Sequence, residues 1–269
     1  MTKRMFQMLA VAALPMMSAF GDTMIYNSNP NPLPGNLPSL GYQANQTAEF
    51  GDLIQFAAGP RNLTSATVTM SDWALESDWP TVGTAAGYTV PLTLNLYNVG
   101  AGNSVGSLIG SDTINALVPW RPVASPGCVG GGWQVGGAGT CFSGLAFQVA
   151  FDFSGLLVPD EVIYGLAFNT NTWGYNPIGL PGPYESLNFA LSAAGASIGS
   201  DPLAGTAYWN TMTAANYTDG GAVGTFRQDT GWGYVGAIDF QANVPEPSGI
   251  ILLGTLVGAL SLLRRKRAA

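Results

Sequence analysis

The chain has 269 residues, 47% of them hydrophobic and 9% charged, with two cysteines, a formal net charge of −7 and no histidine, which excludes Ser-His-Asp and Cys-His nucleophile systems and histidine metal ligands. Six of the nine basic residues lie near the two ends, so residues 22–243 keep Arg61, Arg121 and Arg227 against fifteen acids, a formal charge of −12. Such a surface repels nucleic acid and anionic lipid, and no nucleic acid partner is expected.

Lys3 and Arg4 form a positive n-region, residues 5–17 are apolar with a break at Pro15, and Ala19 and Gly21 place small residues where signal peptidase inspects the chain. This predicts a signal peptide over 1–21, cleaved after Gly21. An uncleaved N-terminal anchor is the alternative. Residues 22–243 then make one ectodomain, long enough to bury a core of its own.

Period-two alternation runs through this ectodomain. Strands are predicted at 23–27, 52–57 and 63–71. Val90, Leu92, Leu94 and Leu96 alternate with Pro91, Thr93 and Asn95. Further strands are predicted at 107–115 and 162–169. Between these, Leu145, Phe147, Val149, Phe151 and Phe153 alternate with Ala146, Gln148, Ala150 and Asp152. Leu187, Phe189 and Leu191 form a shorter set, 206–209 follows, and Tyr234, Gly236, Ile238 and Phe240 close the series. Alternation of this kind marks strands with one buried face. No amphipathic helix of useful length interrupts them, and 36 Gly and 18 Pro supply turns. The expected class is all-β, an antiparallel β-sandwich, jelly-roll-like. The proline-rich segment 29–42 is expected to be an extended lead-in. Two long loops, 119–144 and 172–185, are expected to be where function or looseness concentrates.

Four groups of residues are candidates for chemistry. Trp73 and Trp79 flank an acidic stretch, and Trp173 and Tyr175 lie in a polar Gly/Pro loop. An aromatic face stacks on a sugar ring while neighbouring polar groups bond its hydroxyls; core packing is the competing use. Asp72, Glu76 and Asp78 offer hard oxygen ligands suited to calcium, although their spacing is not that of an EF-hand, and solvation of the surface is the competing use. Glu76, Asp160, Glu161 and Glu185 are the carboxylates from which an acid–base pair for glycoside hydrolysis would be drawn, which needs no histidine. Cys128 and Cys141, close together in an exported chain, are expected to form a disulfide.

The end of the chain reads Val244-Pro245-Glu246-Pro247, then an apolar run over about 248–263, then Arg264-Arg265-Lys266-Arg267. The prolines hold the backbone extended ahead of the run. Sixteen residues of helix span roughly 24 Å, somewhat less than a hydrocarbon core, which flanking basic side chains can tolerate by snorkelling. By the positive-inside rule the basic cluster stays cytoplasmic and the ectodomain lies outside. An ordinary C-terminal membrane anchor is the plain alternative. The three-part order resembles the PEP-CTERM sorting signal of Gram-negative bacterial surface proteins, over residues 244–269. The region from Gly51-Asp52 to Leu63, with Pro159-Asp160-Glu161-Val162-Ile163-Tyr164-Gly165, is also similar to exported bacterial proteins of unassigned function with the same tail, and that similarity carries over no catalytic residue.

The resemblance implies general secretory export, a transmembrane helix that anchors the precursor in the inner membrane, and cleavage by the membrane protease exosortase near Pro245-Glu246-Pro247. It also implies an association with biofilm and extracellular polysaccharide. The expectation is therefore an exported cell-surface or matrix protein with no catalytic residues, whose β-sandwich binds exopolysaccharide without a cofactor unless calcium. The rivals are a secreted carbohydrate-active hydrolase and a purely structural coat protein.

Overall fold

The computed structural model describes residues 21–137 and 139–243. Residues 1–20, where a signal peptide is expected, Val244-Pro245-Glu246-Pro247, the apolar run 248–263 and the basic cluster lie outside the described residues. Among the described residues no helix is long and apolar enough to cross a membrane.

In chain order the strands are β1 (Thr23–Asn27), β2 (Ser39–Gly41), β3 (Thr47–Gln55), β4 (Asn62–Asp72), β5 (Tyr88–Val99), β6 (Val105–Val118), β7 (Trp133–Gln134), β8 (Cys141–Phe142), β9 (Leu145–Leu157), β10 (Glu161–Phe168), β11 (Leu187–Ser192), β12 (Thr206–Thr211), β13 (Arg227–Thr230), β14 (Val235–Gly236) and β15 (Ile238–Asn243). The remaining described elements are single 3-10 turns. The protein is all-β, and its strand pairs are antiparallel. One sheet runs β1-β15-β4-β11-β14, with β9 also paired to β4 and β2 to β11. A second runs β13-β12-β3-β10-β5-β6, and β7 and β8 form a small ladder apart.

Side chains of both sheets fill one core. Phe50 of β3 meets Phe189 of β11 edge to face at 6.1 Å, and Tyr164 of β10 meets Phe240 of β15 at 6.2 Å. The alternation of β5 is realised as predicted: Val90, Leu92, Leu94 and Leu96 are fully buried, while Pro91 and Thr93 face the other way. In β9 the pattern holds from Val149 to Phe153, but Ala146 is buried as well, at the point where its amide donates to the Gly35 carbonyl. Along one side the edge strands β6 and β9 adjoin, where the Asp152 amide donates to Asp112 Oδ2 at 2.8 Å.

β4 sets the long axis. Its eleven residues extend roughly 33 Å, from Asn62, paired with Asn243 of β15, to Asp72, paired with Leu187 of β11 and Leu145 of β9. The loops after β4, β6 and β10 gather at the Asp72 end. There the Trp73 amide donates to the Ser186 carbonyl and the Arg121 amide to the Ala74 carbonyl.

Three expectations need correction. Segment 29–42 is more than a lead-in: it supplies β2, and Tyr42 is buried, stacked on Phe168 at 3.9 Å. The strand predicted at 52–57 begins at Thr47, and β13 was not anticipated, because neither stretch shows clean apolar alternation. The last apolar series is broken at Ala237, whose amide donates to the Ala190 carbonyl and whose carbonyl accepts from the Thr69 amide. The chain passes there from β11 to β4, and Tyr234 is left exposed rather than facing inward.

Cys128 and Cys141 are bridged, with their Cα atoms 5.7 Å apart. The bridge closes a loop of about 14 residues, for which chain entropy gives about 3 kcal/mol. Reduction is therefore expected to lower the melting temperature by roughly 6–12 °C, with the far-UV signature of the sheets retained below the transition. Equal melting curves with and without reductant would show that the loop is ordered without the bridge.

Candidate functional site

The aromatic and acidic residues of the stretch 72–79 do not converge. Asp72 ends β4 fully buried, and its Oδ1 accepts from the Tyr88 hydroxyl at 2.6 Å. Burial pushes Asp72 up to about 7, against the Tyr88 bond, the Ala74 and Trp73 amides and Arg121. Its Oδ2 has no hydrogen-bond partner. Glu76 and Asp78 lie in the exposed turn Glu76–Asp78, so the three candidate calcium ligands are split between core and solvent. Among the described residues no three acidic, His or Cys side chains form a cluster able to hold a metal. Trp79 is half-buried against the core rather than free for a ligand. Trp73 is 44% exposed, its indole bonded to Ser71 Oγ at 2.9 Å and its carbonyl to Arg121 Nε at 3.1 Å.

The four carboxylates proposed for hydrolysis fall in two groups at opposite ends of β4, Glu76 and Glu185 at the Asp72 end and Asp160 and Glu161 at the other. Asp160 is bound to Arg61 at 2.8 Å, and Glu161 opens β10 opposite Gln55. Glu185 precedes Leu187 and so lies at the Asp72 end, with its buried Oε2 unpartnered. A pair drawn from the two ends would be some 30 Å apart by strand rise, against under ~10 Å for a glycosidase pair.

The loop after β10 builds the more coherent surface. Thr170 is buried; its hydroxyl accepts from the Trp173 amide at 2.8 Å and lies against the Trp173 carbonyl and Gln43 Oε1. Asn171 Nδ2 donates to the Gly182 carbonyl at 2.5 Å, and the Leu180 amide to the Thr170 carbonyl at 3.2 Å. Trp173 is thereby held half-buried as a structural part of the loop. Tyr175 stays exposed at 37%, its amide tied to the Phe168 carbonyl. It borders an open groove of about 420 Å³ on the outer face of the second sheet, lined also by Pro91, Thr93, Thr113, Asn169 and Pro177. No lining residue is charged. Asn169 is nine-tenths buried with its Oδ1 unpartnered.

A polar row that no sequence motif announces runs into this groove. Strand register aligns Asn210, Glu49, Ala167, Thr93 and Thr113 across β12, β3, β10, β5 and β6. Residues directly opposite on neighbouring strands face the same side. Thr93 and Thr113 hydroxyls bond at 2.8 Å. Glu49 is buried on this outer face, its Oε1 accepting from Asn95 Nδ2 at 2.8 Å and the Tyr97 hydroxyl at 2.9 Å. Burial raises its carboxyl above the ordinary range, opposed by those two bonds. Gly165 makes this possible, since a Cβ there would stand 2.3 Å from Glu49 Oε1. The only signal available in the sequence was the pair of glycines, Gly51 and Gly165, that break two apolar strands and face each other.

No protein-family model, curated protein or solved structure matches this chain.

Proposed function

We propose that this is an exported, exosortase-processed surface or matrix protein whose body is a jelly-roll-like β-sandwich that binds a neutral extracellular polysaccharide without cleaving it. The jelly-roll reading is supported by the wiring. Eight strands pair as nested hairpins, β2 with β11, β3 with β10, β4 with β9 and β5 with β6. Their orders are β2-β11-β4-β9 and β3-β10-β5-β6, two four-stranded sheets as that fold requires. β1, β12, β13, β14 and β15 extend them. Export is supported by the signal-like N-terminus, the sorting-like tail and the disulfide.

The observation that carries the binding reading is the uncharged groove beside Tyr175. In a body of charge −12 it presents an aromatic ring, two threonine hydroxyls and asparagine amides with no carboxylate or guanidinium. A ring face and a few placed hydrogen-bonding groups suit a sugar, and the missing charge suits a neutral one.

Tyr175→Ala is expected to weaken retention by neutral polysaccharide about tenfold, equivalent to ~1.4 kcal/mol, as read by affinity electrophoresis. Glycans recovered after incubation should keep their length. Retention equal in parent and Tyr175→Ala would sink the groove assignment; shortened product abolished by Glu185→Gln would favour the hydrolase. Intact mass of protein from the medium should correspond to cleavage after Gly21 and near Pro245.

A further inference from the structure

A second polar cluster lies inside the body, away from the groove. Asp52 of β3 points between the sheets and is 1% exposed. Its Oδ1 accepts from the Leu53 amide at 2.8 Å, and its Oδ2 has no partner. Directly opposite on β10 stands Tyr164, and from β1 comes Tyr26; both are wholly buried and both hydroxyls are unpartnered. Asp201 completes the group. It is placed by the Gln55–Ser200 bridge and by its own Oδ1, which accepts from the Leu203 amide at 2.8 Å. The Gln55–Ser200 bridge sets Asp201 against the end of β3, the strand that carries Asp52, and burial, with the negative charge of Asp201 added, raises Asp52 and both tyrosines.

Three buried oxygens from three strands with no partner are unusual, since buried polar atoms are almost always satisfied. Nothing positive faces them: Arg61 pairs with Asp160, Arg227 with Asp219, and Arg121 with the carbonyls of Trp73 and Gly131. Bridging water would serve the hydroxyls but leave the buried Asp52 carboxylate near Asp201 with no positive partner among the described residues. A single divalent ion balances two carboxylates, and an all-oxygen set without fixed octahedral geometry suits calcium better than magnesium. A route exists, because Asp201 also faces an open cleft of about 300 Å³ lined by Gly195, Gly205, Trp232 and Tyr234.

We infer that Asp52 and Asp201, assisted by the hydroxyls of Tyr26 and Tyr164, form an internal divalent-cation site that takes calcium and ties β1, β3 and β10 to the 199–203 turn. The site is distinct from Asp72, Glu76 and Asp78 and does not depend on glycan binding.

The test uses the mature protein stripped with chelator and then titrated with calcium chloride. Calorimetry should give one ion per chain. At calcium a hundredfold above its Kd, the melting temperature should rise by about 5–10 °C. Asp201→Asn should remove the rise. That variant keeps the bond to the Leu203 amide at a partly exposed position, so its fold is retained. Asp52→Asn should do the same, and with two variants a folding failure in one does not leave the question open. A melting temperature indifferent to calcium overturns the site, as does a rise undiminished in Asp201→Asn. Either result would mean that Asp52 is a neutral acid among buried waters.

Discussion

Raising the pH from 5 to 8 is expected to lower the melting temperature of the chelator-treated protein by about 5 °C or more. Asp72, Glu49, Asp52, Asp201 and Asp239 are all raised, each chiefly by burial. A carboxyl whose folded value lies above its unfolded value contributes stability that is complete below the unfolded value. That stability is lost as the pH rises through the folded one. For Asp72 the window runs from about 4 to about 7. Three pH units at 1.36 kcal/mol each give about 4 kcal/mol over the whole window. The other four act in the same direction. Asp152, lowered by Ser154, and Asp219, lowered by its pair with Arg227, are exposed and act in the opposite sense only in stronger acid. Asp72→Asn keeps an acceptor for the Tyr88 hydroxyl and cannot ionise. It should flatten the pH profile and be relatively more stable at pH 8. A profile that rises with pH would mean these carboxyls are ionised in the folded state.

Phe240→Ala is expected to cost about 3–5 kcal/mol, the range for removing a buried phenyl ring. Phe240 is wholly buried and joins both sheets, meeting Tyr26 at 6.3 Å, Phe56 at 5.6 Å and Tyr164 at 6.2 Å. Its neighbours hang from β1, β10 and the end of β3, so the cavity cannot close by a shift of one strand. Phe240→Leu, which refills part of the space, should recover more than half of the loss. Chemical denaturation of the three proteins measures this directly. A loss below 1 kcal/mol for Phe240→Ala would show that the two sheets do not depend on this contact.

The strands were legible wherever one face is apolar over several alternate positions, as from Val90 to Leu96, because that pattern is local and survives any arrangement of partners. β2 and β13 were not, since Ser39–Gly41 and Arg227–Thr230 are strands only through their neighbours β11 and β12. Of the aromatic candidates, Tyr175 lines a groove while Trp79 and Trp173 serve packing. All three stand among turn-forming residues, so nothing local separates them. The Asp52 cluster was invisible for the same reason: Tyr26, Asp52, Tyr164 and Asp201 span 175 positions of sequence.

By itself the amino-acid sequence determined the all-β class, the bridged cysteines and the acidic, histidine-free chemistry, because alternation, cysteine proximity and composition are properties of short stretches or of the whole count. Tertiary structure decided which polar residues meet. Glu49 finds Asn95, Tyr97 and Asn210 only through antiparallel register, and Asp52 faces the core while Glu49 faces outward because side chains alternate along β3. A shift of one residue in that register would exchange the two faces.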